Sequence, residues 1–154
     1  MLTALRQFID RLQQSPDAAH HFGEDDHRLA IAALLVHAVS IDGVVDEAEK
    51  TTIRTVLKRE FELSDAETSE LVAEARERDQ EAVDLYTFTS VLKRALDEKG
   101  RKRSVEMLWE IVYADGAVHE FEDNLVWRVA ELLGVQRRER LRLKRRAAKA
   151  RKAD

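Results

Sequence analysis

Two short acidic stretches carry the residues best suited to chemistry. Asp42-Gly43-Val44-Val45-Asp46-Glu47-Ala48-Glu49 and Asp115-Gly116-Ala117-Val118-His119-Glu120-Phe121-Glu122 share the pattern Asp-Gly-x-Val-x-Glu-x-Glu. Their carboxylates are hard oxygen donors of the kind that hold Ca, Mg or Mn. Asp42 and Asp115 fall where an apolar helix ends, beside unsatisfied carbonyls and the negative end of the helix dipole. That placement costs about 0.3 to 1 kcal/mol, and a cation would relieve it. Asp42, Glu49, Asp115 and Glu122 are therefore the candidate metal ligands, and His119 is a further donor in the second loop.

Laid on the calcium-binding loop of an EF-hand, each Asp-Gly pair occupies positions five and six, each Val position eight, and Glu49 or Glu122 the bidentate position twelve. Position one is then Ala38 or Ile111 and position three Ser40 or Tyr113, so neither loop alone can complete a calcium cage. Four carboxylates from two loops could. The competing reading is local. Gly43 and Gly116 then serve as helix C-caps, Asp46 and Glu49 as a capping box, and the aspartates bond amides across their turns. A duplication copies caps as readily as ligands, so recurrence leaves both readings open.

The elements that position these loops are helical throughout. Leu2, Leu5, Phe8, Ile9 and Leu12 mark an amphipathic first helix, followed by a linker from Ser15 to Gly23. Between Glu24 and Ser40 almost no polar face remains, as expected of a helix enclosed on most sides. After the first acidic loop, Ile53, Val56, Leu57 and Phe61 lie on one face of the next helix. Ser64-Asp65-Ala66-Glu67 has capping-box spacing and opens a helix with Leu71, Val72 and Ala75 inward, ended by the charged stretch Arg76 to Glu81. Asp84 caps another, carrying Leu85, Phe88, Val91, Leu92 and Leu96 and closing near Lys99-Gly100. Val105 to Ala114 is a second nearly all-apolar helix, and Leu125 to Leu133 follows the second acidic loop. No stretch alternates long enough to argue for a sheet.

Sliding the chain by 73 residues pairs Val39 with Val112, Asp42 with Asp115, Gly43 with Gly116, Val45 with Val118, Glu49 with Glu122 and Val56 with Val129. This is an internal duplication of a helix, Asp-Gly turn, helix hairpin. The expected fold class is all-α, a compact bundle with approximate two-fold symmetry. The expected organisation is one helical domain over 1–135, with the first helix and linker at 1–23, repeat one at 24–61 and repeat two at 101–134. A basic helical tail occupies 136–154.

At 154 residues, folding removes roughly 70% of the accessible surface of the unfolded chain, enough for a real core. Without cysteine there is no disulfide, thiolate metal site or thiol redox chemistry. Met1 to Asp10 lacks the pattern of a secretory signal and no apolar run is long enough to span a bilayer, so the expected setting is cytoplasmic. The net charge of -4 conceals a segregation. Gly134 to Asp154 carries +8, from ten basic and two acidic residues, and the remainder -12. Arg137, Arg138, Arg140, Arg142, Lys144, Arg145 and Arg146 form the candidate site for an anionic partner: nucleic acid, anionic lipid or the acidic body of the same chain. With only Leu141 and Leu143 as bulky apolar residues, the tail reads first as a solvated, partly frayed helix whose removal leaves stability unchanged.

The remaining polar candidates are weaker. His20, His21, His27, His37 and His119 never repeat the helical spacing of a zinc pair, and His37 reads as a hydrogen-bonded polar break in a buried helix. Trp109 and Trp127 lie in apolar patterns and read as core. No phosphate loop or nucleophile elbow occurs, so no catalytic residue is assigned and the chain is expected not to be an enzyme.

The repeated loops also carry a resemblance. Ala114-Asp115-Gly116 with Val118 and Glu122, Ile41-Asp42-Gly43 with Val45 and Glu49, and the intervening Asp84-Leu85-Tyr86 helix resemble the TerB-like family associated with tellurite resistance, over roughly residues 22 to 136. A related domain precedes the J-domain of the DjlA membrane co-chaperones, but no His-Pro-Asp motif is present here. The chain departs from the family pattern at Ile41, where alanine is usual, and at His119, where the first loop has Asp46. The resemblance implies about seven helices, acidic loops that bind divalent metal, and a role in stress-linked complexes near the membrane. The leading expectation is an interaction module in stress or tellurite resistance, binding Ca, Mg or Mn and acting through protein partners, some membrane-associated. The alternatives are a metal-dependent phosphoesterase and a nucleic-acid or anionic-lipid adaptor working through the tail.

Overall fold

The computed structural model describes residues 22–23, 26–40, 47–81, 84–114 and 120–153. The first helix expected over Leu2 to Leu12, most of the linker, and Asp42, Asp115 and His119 lie outside the described residues. The described residues form seven α-helices and no strand: α1 (His27–Ser40), α2 (Glu47–Phe61), α3 (Asp65–Glu81), α4 (Tyr86–Ala95), α5 (Glu98–Val112), α6 (Glu120–Leu132) and α7 (Arg137–Ala153).

Two helices organise the rest. Every residue of α1 from Leu29 to Val36 is buried, as are Ala38 and Val39. That follows from its lack of a polar face, since such a helix must find apolar neighbours on all sides. It packs against α2, α3, α4, α5 and α6. The second is α5, with Ser104, Val105, Met107, Leu108, Trp109, Ile111 and Val112 buried, and it packs against α1, α2, α6 and α7. The helices that lead into the two acidic loops are thus in direct contact, and each also touches the helix that follows the other loop.

Local chemistry sets the ends. Asp26 accepts the Arg28 N–H at 2.9 Å and starts α1. Ser64 and Glu67 form the expected capping box, with Ser64 Oγ accepting from the Glu67 N–H at 3.1 Å and Glu67 Oε1 from the Ser64 N–H at 3.0 Å. Asp84 accepts the Tyr86 N–H at 2.9 Å and opens α4. Gly134, with φ of 76°, closes α6 in a Schellman turn: the Val135 N–H donates to the Ala130 carbonyl and the Gly134 N–H to that of Glu131.

Two expected boundaries are corrected. Arg76 to Glu81 does not end its helix but forms the last turns of α3, where Arg78 is 3.2 Å from Glu74 one turn earlier. Gly100 does not close α4. The chain breaks at Leu96, extended with ψ of 146°, and Asp97 caps α5 by accepting the Gly100 N–H at 2.9 Å. The glycine serves a close approach instead, because a Cβ there would meet Leu96 Cβ at 3.1 Å. Arg101 donates to the Lys93 and Leu96 carbonyls and so covers the end of α4.

The tail is the largest correction. It is not a frayed, solvated helix but α7, packed along α5 with Leu143 and Ala147 buried. Lys144 reaches Asp123 of α6 at 2.6 Å, and Arg140 donates to the Val135 carbonyl at 2.7 Å. The acidic body of the same chain, one of the partners expected for the tail, is in contact with it.

Candidate functional site

Glu49 is the third residue of α2 and Glu122 the third of α6, so both side chains sit in first turns where amide N–H groups and the positive dipole end favour a carboxylate. Both are buried, at 5% and 2% exposure. They lie deeper than the capping glutamate of α3. Glu67 occupies the same helical position in the Ser64 capping box and remains partly exposed. A buried carboxylate is costly unless charge or hydrogen bonds match it. For Glu74, buried in α3, Arg78 contributes that match. Neither Ile41 to Glu49 nor Asp115 to Glu122 contains Lys or Arg.

Of the five sequence-derived metal candidates, Glu49 and Glu122 are therefore placed, each buried where its acidic loop enters a helix. Asp42, Asp115 and His119 are outside the described residues. No group of three His, Asp or Glu side chains able to hold a metal occurs among the described residues. The chemistry of the donor set fits a hard divalent cation, since all four carboxylates present oxygen.

Between Ser40 and Glu47, the residues flanking the first acidic loop, begins a cleft of about 620 Å³ formed by α1, α2 and α3. Val36, Val39, Ile53 and Val72 line it, along with Lys50, Arg54 and Arg76. Asp79 also lines it, with Oδ1 2.8 Å from His37 Nδ1, joining α3 to α1 and accounting for the polar break in the buried helix. His27 packs edge-on against Phe61 with ring centroids 5.7 Å apart. Trp109 is fully buried, and Trp127 is partly buried with its N–H donating to Asp123 at 3.1 Å.

A charge network that local spacing could not reveal ties α2 to α5. Arg103 engages Glu60 with two guanidinium nitrogens, Nη2 at 2.9 Å and Nε at 3.1 Å from its oxygens, and also meets Glu106 and Glu110. Arg59 reaches Glu110 at 2.9 Å, and Arg146 of α7 approaches Glu106 at 3.7 Å. The Arg103 hydrogen bonds hold the Glu60 carboxyl below its usual range, and those same bonds raise the guanidinium. Glu60 and Arg103 are 43 residues apart in sequence, so only the α2–α5 contact brings them together.

Of the tail candidates, Arg140 and Lys144 are turned inward, over the rings of Trp127 and Trp109 at 5.6 and 5.2 Å. Arg137, Arg138, Arg142, Arg145 and Arg146 stay exposed. No helix among the described residues is long and apolar enough to cross a membrane.

In comparisons with known proteins, no curated protein and no solved structure matches the chain. A family model described as tellurite resistance protein TerB does match, over residues 28–145, from the first turn of α1 into α7 and across both acidic loops. Because that span covers most of the sequence and all seven described helices in part or whole, the chain belongs to the TerB family.

Proposed function

We propose that this TerB-family chain is a non-enzymatic interaction module of stress or tellurite resistance that binds a hard divalent cation, Ca, Mg or Mn, through its two acidic loops. The burial of Glu49 and Glu122 at matching helix starts carries this reading. Asp42 and Glu49 from one loop, and Asp115 and Glu122 from the other, would hold the cation, with His119 beside the second pair. The cation supplies positive charge where neither loop contributes Lys or Arg, and so links the two hairpins. The cleft beside the first loop is the proposed seat for a protein partner. Its apolar lining and its cations Lys50, Arg54 and Arg76 suit an amphipathic segment bearing carboxylates.

Thermal melting with chelator and with added Ca, Mg or Mn tests the reading. A ligand that binds only the folded state raises the melting temperature by mass action, by about 2.7 kcal/mol of stability at a hundredfold excess over Kd. Asp42→Asn with Asp115→Asn should abolish the response while leaving the fold intact. A melting temperature that ignores both chelator and millimolar cation would reduce the loops to turns with capping carboxylates.

A further inference from the structure

The docking of α7 sets two groups of its cations apart. Arg140 and Lys144 flank Leu143 and Ala147 on the face turned toward α5 and α6. Arg138, Arg142, Arg145 and Lys149 are exposed and follow one another at spacings of four, three and four residues. At 3.6 residues per turn, these four lie within about 60° of one another around the helix axis, diametrically opposite Ala147. They make a single straight row about 16 Å long. Arg142 meets Glu139 at 3.1 Å, whereas Arg138, Arg145 and Lys149 have no ion-pair partner among the described residues. Like charges one turn apart destabilise a helix, so the row is held by the packing behind it and would be relieved by an anionic surface in front.

We propose that the outward face of α7 docks on an anionic lipid bilayer through Arg138, Arg142, Arg145 and Lys149. The geometry favours a plane over a nucleic-acid groove. A helix seated in a groove needs free donors on both flanks to reach the phosphates on either side, whereas here one flank carries Leu141 and Ala148 with Arg137 only at its first turn, and on the other Arg146 lies beside Glu139 and is drawn back toward Glu106 at 3.7 Å. From Arg137 to Ala153 there is no aromatic residue to stack on a base, and no Asn, Gln, Ser or Thr stands among the Arg and Lys side chains to read one beside them. The acidic remainder of the chain, at -12, would oppose any surface that wraps around it. A plane touched only by α7 avoids this. The helix is about 10 Å across and the Debye length at physiological ionic strength about 8 Å, so the body behind it is screened while the row is in contact. No apolar side chain projects from the row, so the association is electrostatic and reversible. It does not depend on whether the acidic loops hold a cation.

Flotation of the full-length chain with phosphatidylcholine vesicles containing about 30% phosphatidylglycerol tests the proposal, because each cation near an anionic surface contributes about 1 kcal/mol, or roughly fivefold in affinity. Binding at low salt, its loss near 1 M salt where the Debye length falls to about 3 Å, and none to pure phosphatidylcholine are the expected results. Changing all four residues to Gln should weaken binding roughly 600-fold, while Arg137→Gln and Arg146→Gln, off the row, should cost less than fivefold each. If circular dichroism shows the fourfold variant unfolded, the four single variants each read the fivefold loss. Equal binding to neutral vesicles, retention by the folded fourfold variant, or no loss in any single variant would overturn the proposal. So would tighter binding to duplex DNA than to anionic vesicles at the same salt.

Discussion

Leu141 and Leu143 lie two residues apart on the same helix and should behave differently. Leu143 is 3% exposed against the core, whereas Leu141 lies on the flank of α7 and is partly exposed. Truncating a buried leucine to alanine costs about 2 to 5 kcal/mol, depending on how far the site collapses. An outer helix can settle toward its neighbour, so Leu143→Ala should cost about 2 to 3 kcal/mol and Leu141→Ala less than about 1. Removing everything after Val135 should cost more than either, because it also strips Ala147 from the core, breaks the Lys144 bridge to Asp123 and uncovers the α5 face that holds Trp109. Against a total stability of about 5 to 15 kcal/mol, the truncated chain should be largely or wholly unfolded at 37 °C. Urea unfolding followed by circular dichroism gives the differences, provided the slope m is unchanged. Tryptophan emission reports the same event, because α7 cations lie over both indoles. Equal costs for the two leucines, or a truncated chain as stable as the full one, would refute the docking of α7.

Three further outcomes are expected. Glu60→Gln should destabilise the chain at pH 7 and the deficit should fade in acid. The native Glu60 pKa is depressed, so its stabilisation is present above the ordinary value of 4.5 and is lost as pH falls through the lower folded value; urea unfolding at pH 7, 5 and 3 checks the sign. Gly134→Ala should cost about 1 to 2 kcal/mol in thermal unfolding, entirely through its φ of 76°, since a Cβ there would meet nothing within 4 Å. Glu67→Ala should cost about 0.5 to 1 kcal/mol with or without divalent cation, whereas the cost of Glu49→Ala should change when cation is added; matched melts of the two variants separate a cap from a ligand.

What the sequence disclosed follows the range of the interactions concerned. The enclosure of α1 was legible because nothing polar interrupts Leu29 to Val36, and the Ser64 box because its two partners are three residues apart. The docking of α7 was not, because its inward face is a leucine, an alanine and the aliphatic stems of Arg140 and Lys144, a set that composition scores as hydrophilic. Gly100 misled because glycine stops helices far more often than it admits a neighbouring one. At the site, repetition picked out Glu49 and Glu122, but burial is a property of the assembled bundle. The Glu60–Arg103 pair lay beyond any local pattern for the same reason.

The enclosure of α1 has a cost during synthesis. Its apolar residues leave the ribosome before the partners that cover them, which are spread as far as α6, ending at Leu132. At about 5 to 20 residues per second, the interval between Ser40 and Leu132 lasts on the order of 5 to 20 s. For that time a 14-residue segment with no polar side waits for its neighbours. It is the stretch of this chain with most to gain from a chaperone while the rest is being made.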